Sequence, residues 1–275
     1  METCINKRLF GSEISFILDD VDENLCNDII EEAYGEGLRL QNIFNFYDEK
    51  SELSLLNRKR KLAVSKELLE VLKMALEMCK KTNGKYDITL GKQFKQRKLG
   101  NQVEKVGCSY KDIIISGNKV ELLNPDVQVD LGSIAKGYIT DKMAEIIINN
   151  GIISGLIDSR GDIRIFGERE IEIQHPRDKN KEIGTIKLKD CGVATSGDYK
   201  QYDKSFDKSH IINQKDNISV TTVSSRLAEA DLYATALFVI PEKEVKSILN
   251  KNVKALCINK NLEIKKYNNF EVKNE

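Results

Sequence analysis

At 275 residues, with 40% hydrophobic and 31% charged side chains, the chain can bury a large core as one domain or as two closely joined lobes. Its 43 Lys and Arg balance 43 Asp and Glu, so no overall field draws it to nucleic acid or to an acidic membrane surface. Six scattered cysteines without a C-x-x-C pair argue against a thiolate zinc site and a redox dithiol, and are expected as small buried side chains.

In chain order, Met1 to Phe10 has no apolar h-region, and no apolar run approaches the ~20 residues of a membrane span. The expectation is a cytoplasmic protein as given, or an exported or tethered one if a signal has been removed. Glu13 to Leu18 reads as an opening strand. Leu25, Ile29 and Ala33 suit one helix face, which Gly35 and Gly37 weaken at its far end. Phe44, Phe46 and Tyr47 cluster, for core packing or for stacking on a planar ring. Ser65 is an expected N-cap for a helix carrying Leu68, Leu69, Leu72, Ala75, Leu76 and Cys79 on one face.

Asp112 to Ser116 and Lys119 to Leu123 flank Gly117-Asn118 as a hairpin. A helix from Ile134 to Asn150 ends at Gly151. Strands are expected near Leu156, Ile163, Ile171, Ile186 and Val220, then a buried helix from Ala228 to Ile240 stopped before Pro241. Val245, Ile248 and Leu249 mark a further helix, and strands near Leu256 and Ile264 close the chain. Strands and helices come in clusters without strict βαβ alternation, which predicts a mixed α+β fold and not a Rossmann fold. With three prolines and no low-complexity tract, residues 1–275 read as one unit or two closely packed lobes.

Two segments carry chemistry. Asp130 to Asp141, DLGSIAKGYITD, puts glycines at a helix start, where unpaired N–H groups and a positive dipole end suit an anion, with Lys136 one turn in. It is not a Walker loop, because Tyr138-Ile139 follow where Lys and Ser or Thr are needed. An ordinary capped helix with a solvated Lys136 is the plainer alternative. In EADLYATALF, Glu229 to Phe238, Asp231 and Thr235 stand i, i+4 on one face of an apolar helix. A carboxylate there is costly unless it is paired, and hard oxygen ligands of this kind suit Mg²⁺. Satisfaction of Asp231 by backbone donors is the alternative. The chain has two histidines, His175 and His210.

The order of these segments and their neighbours resembles the ApbE family of flavin transferases. Phe10-Gly11-Ser12 stands where that family has Met-Gly-Thr, and Tyr47-Asp48 with Ser51 to Asn57 is similar to its S-T-Y-x-x-x-S-E-L-S-x-x-N stretch. Asn83 to Thr89 resembles its D-G-A-F-D-x-T block, and Asp130 to Lys142 its D-L-G-x-I-A-K-G-Y-x-x-D-K signature. Ala194 to Tyr199, His210-Ile211 and Ala230-Asp231 through Leu237 follow with similar spacing.

The resemblance implies an ApbE-like fold and a Mg²⁺-dependent FAD:protein FMN transferase, attaching FMN to a Ser or Thr of a partner flavoprotein and releasing AMP. It implies FAD contacts at Phe10, Tyr47, Tyr86, Asp87, Asp130, Lys136 and Ile211, with the flavin between Phe10 and Tyr47. It implies Mg²⁺ ligands at Ser133 (through its backbone carbonyl), Asp231 and Thr235, and His210 as the base that activates the acceptor hydroxyl. The family's acceptors carry a Ser/Thr-Gly-Ala-Thr motif, which this chain lacks. There are three departures. Phe10 replaces Met. Ser159-Arg160-Gly161-Asp162 stands where the family has paired glycines. Asn213-Gln214 replaces the Asp-Pro after the histidine block. A hydrolytic FAD pyrophosphatase and a non-catalytic flavin-binding protein are the alternatives.

Overall fold

The computed structural model describes residues 2–20, 22–98, 107–198 and 216–273. His210, Ile211 and the Asn213-Gln214 departure lie outside the described residues. Among the described residues, the first strands are β1 (Glu2–Leu9), β2 (Ser12–Asp19), β3 (Lys61–Ala63), β4 (Ile113–Ser116) and β5 (Lys119–Leu122). They are followed by β6 (Gly155–Ser159), β7 (Asp162–Phe166), β8 (Glu168–Gln174), β9 (Glu182–Lys189) and β10 (Gly192–Gly197). β11 (Asn217–Ser224), β12 (Lys254–Asn259) and β13 (Ile264–Tyr267) complete the set. The helices are α1 (Glu23–Phe44), α2 (Glu52–Lys59), α3 (Lys66–Lys81), α4 (Gly91–Lys98), α5 (Ala135–Asn149), α6 (Leu227–Val239) and the single turn α7 (Val245–Ile248).

Eight strands form one sheet in the order β1-β2-β6-β7-β10-β11-β12-β13, every neighbouring pair antiparallel. A Rossmann core needs parallel strands joined by crossover helices; this sheet has none, and the fold is mixed α+β. Side chains alternate across it. Ile157, Ala255 and Cys257 join the large core under the helices, whereas Leu156, Leu256 and Ile258 join a second cluster with Ile173, Ile186 and Phe270, beneath the β8–β9 hairpin. On the helical side α1 packs on α5, α5 on α6, and α6 on β10 and β11.

The Ser65 cap forms as expected: its hydroxyl accepts from Leu68 N–H at 3.2 Å, and Leu68, Leu72, Ala75, Leu76 and Cys79 are buried. α1 departs from expectation and runs straight through Gly35 and Gly37. A Cβ on Gly37 would lie 2.6 Å from Met143 Sδ, so glycine here lets α5 approach α1 closely. Packing between the helices offsets the poor propensity. Ile29 and Ala33 are buried as expected, but Cys26 and Ile30 are buried beside them and Leu25 is 53% exposed. α6 is buried on nearly every side, consistent with its unbroken apolar sequence.

Candidate functional site

Backbone exchange brings the distant motifs together. Asn57 Nδ2 donates to Val129 O at 2.9 Å while Val129 N–H donates to Asn57 Oδ1 at 2.7 Å, so this buried amide pairs with the strand-like segment before Asp130. Asp130 N–H donates to Ile88 O (2.9 Å) and Gln128 N–H to Thr89 O (3.1 Å). The Asn83 to Thr89 block is thereby laid beside the start of the signature. Across that seam the Tyr86 hydroxyl meets Ser133 Oγ at 2.6 Å. Burial pushes the Tyr86 phenol well above its ordinary range, so it acts as a neutral O–H. Asp130 Oδ1 accepts from Gly132 N–H (2.8 Å) and fixes the turn into α5. The Asp87 carboxylate accepts from Thr89 N–H, Thr89 Oγ1 and Tyr110 N–H at 2.8–2.9 Å, which ties the block to the turn at Tyr110.

α5 and α6 start against one another, and glycine sets the distance. A Cβ on Gly137 would lie 2.5 Å from Leu227 O, and one on Gly192 would lie 2.3 Å from Leu227 Cα. Neither helix has a side-chain cap of its own at its N-cap residue, Ile134 or Arg226. Each is served instead by a carboxylate of the other helix. Asp141, from α5, accepts from Leu227 N–H and Ala228 N–H at 2.9 Å each. Asp231, from α6, accepts from Gly137 N–H at 3.1 Å. In a continuous helix the Gly137 donor would reach back to the Ser133 carbonyl; given to Asp231, it does not draw that carbonyl into the helical ladder. Orphan N–H groups and a favourable dipole end account for both contacts.

Lys136 pairs with Asp162 and lies 3.5 Å from Asp231 Oδ2. Burial alone would lower its pKa, but Asp162 and then Asp231 more than offset that and keep the ammonium charged. For Asp231, burial raises the carboxyl above its usual range against the pull of Lys136, and Asp162 adds to the rise. Two buried carboxylates thus share one ammonium. Both contacts of Asp231 fall on Oδ2, and one turn along α6 the Thr235 hydroxyl meets Ser196 Oγ at 3.1 Å. Among the described residues no three His, Cys, Asp or Glu side chains converge on one point. A cation here would draw on one carboxylate, a hydroxyl and backbone carbonyls. Hard oxygen donors with surplus negative charge fit Mg²⁺, which retains water and shares phosphate oxygens.

The model of the ApbE family matches residues 10–257. The chain belongs to the ApbE family. Among curated ApbE-like relatives, the FAD:protein FMN transferase of Buchnera aphidicola subsp. Schizaphis graminum is 27% identical over 240 residues, covering 76% of this chain and 71% of its own length. That of Escherichia coli (strain K12) is 25% identical over 248 residues, covering 76% and 70%. Among solved structures, the ApbE protein of Thermotoga maritima superposes with a TM-score of 0.85 at 23% identity, covering 98% of each chain. The flavin transferase ApbE of Vibrio cholerae gives 0.81 at 24% identity, covering 97% and 96%. The ApbE fold is therefore the fold of this chain.

Within that fold, the residues singled out from sequence fall into three groups. Tyr86, Ser133 and Asp130 gather at the seam before α5, while Lys136 and Asp231 gather at the α5–α6 junction with Thr235 one turn on. Phe10 sits in the β1–β2 turn, its N–H donating to Gln41 Oε1 at 2.7 Å, at the edge of the helical core. Of the three clustered aromatics, Phe44 is buried edge-on against Tyr138, and Phe46 packs edge-on against Tyr47. Tyr47, 53% exposed, is the most exposed of the three. Asp162, Asp141 and Ser196 were not picked out as site residues. All three stand inside or beside quoted motifs, but only the folded chain shows what they touch.

Proposed function

We propose that this chain is a Mg²⁺-dependent FAD:protein FMN transferase, the activity for which its curated relatives are named. The observation that carries the proposal is the buried pair of carboxylates, Asp231 and Asp162, on the single ammonium of Lys136, with Thr235 one turn away. Asp231, Thr235 and the Ser133 carbonyl would hold the metal, which when bound supplies charge neutralisation to the pyrophosphate of FAD. Lys136, kept charged by its two partners, holds Asp231 in place and adds positive potential at the same point. Phe10 and Tyr47 offer the apolar walls for the flavin, and Tyr86, Asp87, Asp130 and Ile211 complete the proposed FAD contacts.

A Ser or Thr hydroxyl of a partner flavoprotein, within a Ser/Thr-Gly-Ala-Thr-like motif, would attack the FMN-side phosphorus. The new O–P bond replaces the bond to the AMP oxygen, AMP leaves, and His210 takes the hydroxyl proton. His210→Ala is expected to slow transfer by roughly 10²–10⁴-fold while leaving FAD affinity unchanged.

Incubation with FAD and Mg²⁺, with and without an acceptor peptide bearing the motif, tests the reading. AMP release that requires the peptide, together with an FMN mass gain on it, supports transfer. AMP release without peptide makes the chain a pyrophosphatase, and FAD binding without AMP release makes it a flavin carrier.

A further inference from the structure

Arg160 occupies the tip of the β6–β7 hairpin with φ 66°, a left-handed conformation that favours glycine. The tip is held from several sides. Gly161 N–H donates to Asp158 Oδ1 at 2.6 Å, Ser159 Oγ meets Thr140 Oγ1 of α5 at 2.7 Å, and Asp162 pairs with Lys136. Arg160 is exposed, and its Nη1 donates to Phe10 O at 3.4 Å. Phe10 is itself left-handed, φ 54°, at the tip of the β1–β2 hairpin. Because β2 pairs with β6, Ser15 opposite Asp158, the two tips lie at the same end of the sheet. Arg160 thus shares a hairpin tip with Asp162, the partner of Lys136, and sets its guanidinium against the backbone of Phe10. Both tips are two-residue turns with left-handed φ at both central residues, the geometry that matches the twist of the flanking strands.

We propose that Arg160 is a pyrophosphate-binding residue of the FAD site, its planar guanidinium meeting phosphate oxygens between Phe10 and the cation-binding end of the site. The inference rests on the reading of this site as an FAD site. The bond to Phe10 O is to a neutral carbonyl, and a phosphate oxygen would offer the guanidinium charge assistance and a two-pronged fit. The competing role is a strap that ties the two hairpin tips together.

Affinities of the full chain for riboflavin and FAD, read by flavin fluorescence with Mg²⁺ present, separate the two roles in Arg160→Gly and Arg160→Lys. Glycine suits φ 66° better than arginine, so Arg160→Gly should melt no lower than the wild type. Its FAD affinity should fall about tenfold with riboflavin affinity unchanged, since a charged hydrogen bond of modest strength is worth that much. Arg160→Lys, a cation without the fork, should fall between. Equal losses for riboflavin and FAD, or a lowered melting temperature, would establish the strap and overturn the proposal. Wild-type preference for FAD over riboflavin that survives Arg160→Gly sinks this proposal alone. A wild type with no such preference sinks the FAD-site reading along with it.

Discussion

Asp141 and Asp231 are each 4% exposed, each raised by burial, and each set at the N-terminus of the other's helix, yet their surroundings differ. Asp141 is clamped. Two backbone N–H groups reach it at 2.9 Å, Arg164 Nε lies 3.2 Å away, and Arg226 Nε lies 3.9 Å away. Asp231 has one N–H at 3.1 Å and a lysine at 3.5 Å that is already paired with Asp162, both on the same oxygen. A buried carboxylate costs free energy until donors or cations surround it. Asp141 has that surrounding from the protein, so it holds the helices in register. Asp231 lacks part of it, and the deficit is the chemical basis for the metal proposed at this end of the junction.

The largest expected effect comes from emptying the filled clamp. Asp141→Ala leaves the α6 N–H groups and Arg164 unmatched in a buried place and should cost about 3–5 kcal/mol in denaturant unfolding. A loss under 1 kcal/mol would mean that α6 is held by its apolar faces alone. Next is Gly137→Ala, whose Cβ would meet Leu227 backbone atoms at 2.5–2.7 Å. Overpacking here should cost about 1–3 kcal/mol and weaken Mg²⁺-induced stabilisation by moving Asp231 away from its partners. Retention of the full metal response would separate the junction from the cation site. The smallest effect is expected from Ser196→Ala, which removes the hydroxyl facing Thr235. A stability change near 1 kcal/mol or less, with a modest loss of Mg²⁺ affinity, is the expected result by thermal melting.

Much of this site was legible in the sequence because its chemistry sits in compact, ordered motifs. The DLGSIAKGYITD segment and the Asp231–Thr235 spacing marked the junction, and the α6 boundaries agree with Leu227–Val239 to within about a residue. The misses have local physical causes. β10, GVATSG, has little apolar alternation because its Gly192 must admit Leu227 and its hydroxyls face Thr221 and Thr235. β1 lies at a sheet edge and alternates exposed with half-buried residues, so it lacks the apolar periodicity that marks interior strands. Ser51 to Asn57 stands out in the sequence as a motif more than as a helix, although Ser51 caps α2 by accepting from Ser54 N–H at 3.0 Å. Asp231 stands out in the sequence with Thr235 on one face of an apolar helix, but nothing there separates the surroundings of Asp141 from its own. That difference comes from Arg164 on β7 and Arg226 before α6, close in space and distant in sequence from Asp141.

Calorimetric Mg²⁺ titration of the wild type, Asp231→Asn and Asp141→Asn, each in the presence of FAD, tests the contrast between the two carboxylates most directly. Asparagine keeps the shape of each side chain and removes its charge. Saturable Mg²⁺ binding is expected in the wild type, with its loss in Asp231→Asn while the fold is retained and its survival in folded Asp141→Asn. Undiminished Mg²⁺ binding by folded Asp231→Asn, or an Asp231→Asn that unfolds while the wild type ignores both Mg²⁺ and chelator, would contradict that contrast and leave Asp231 as a second structural cap.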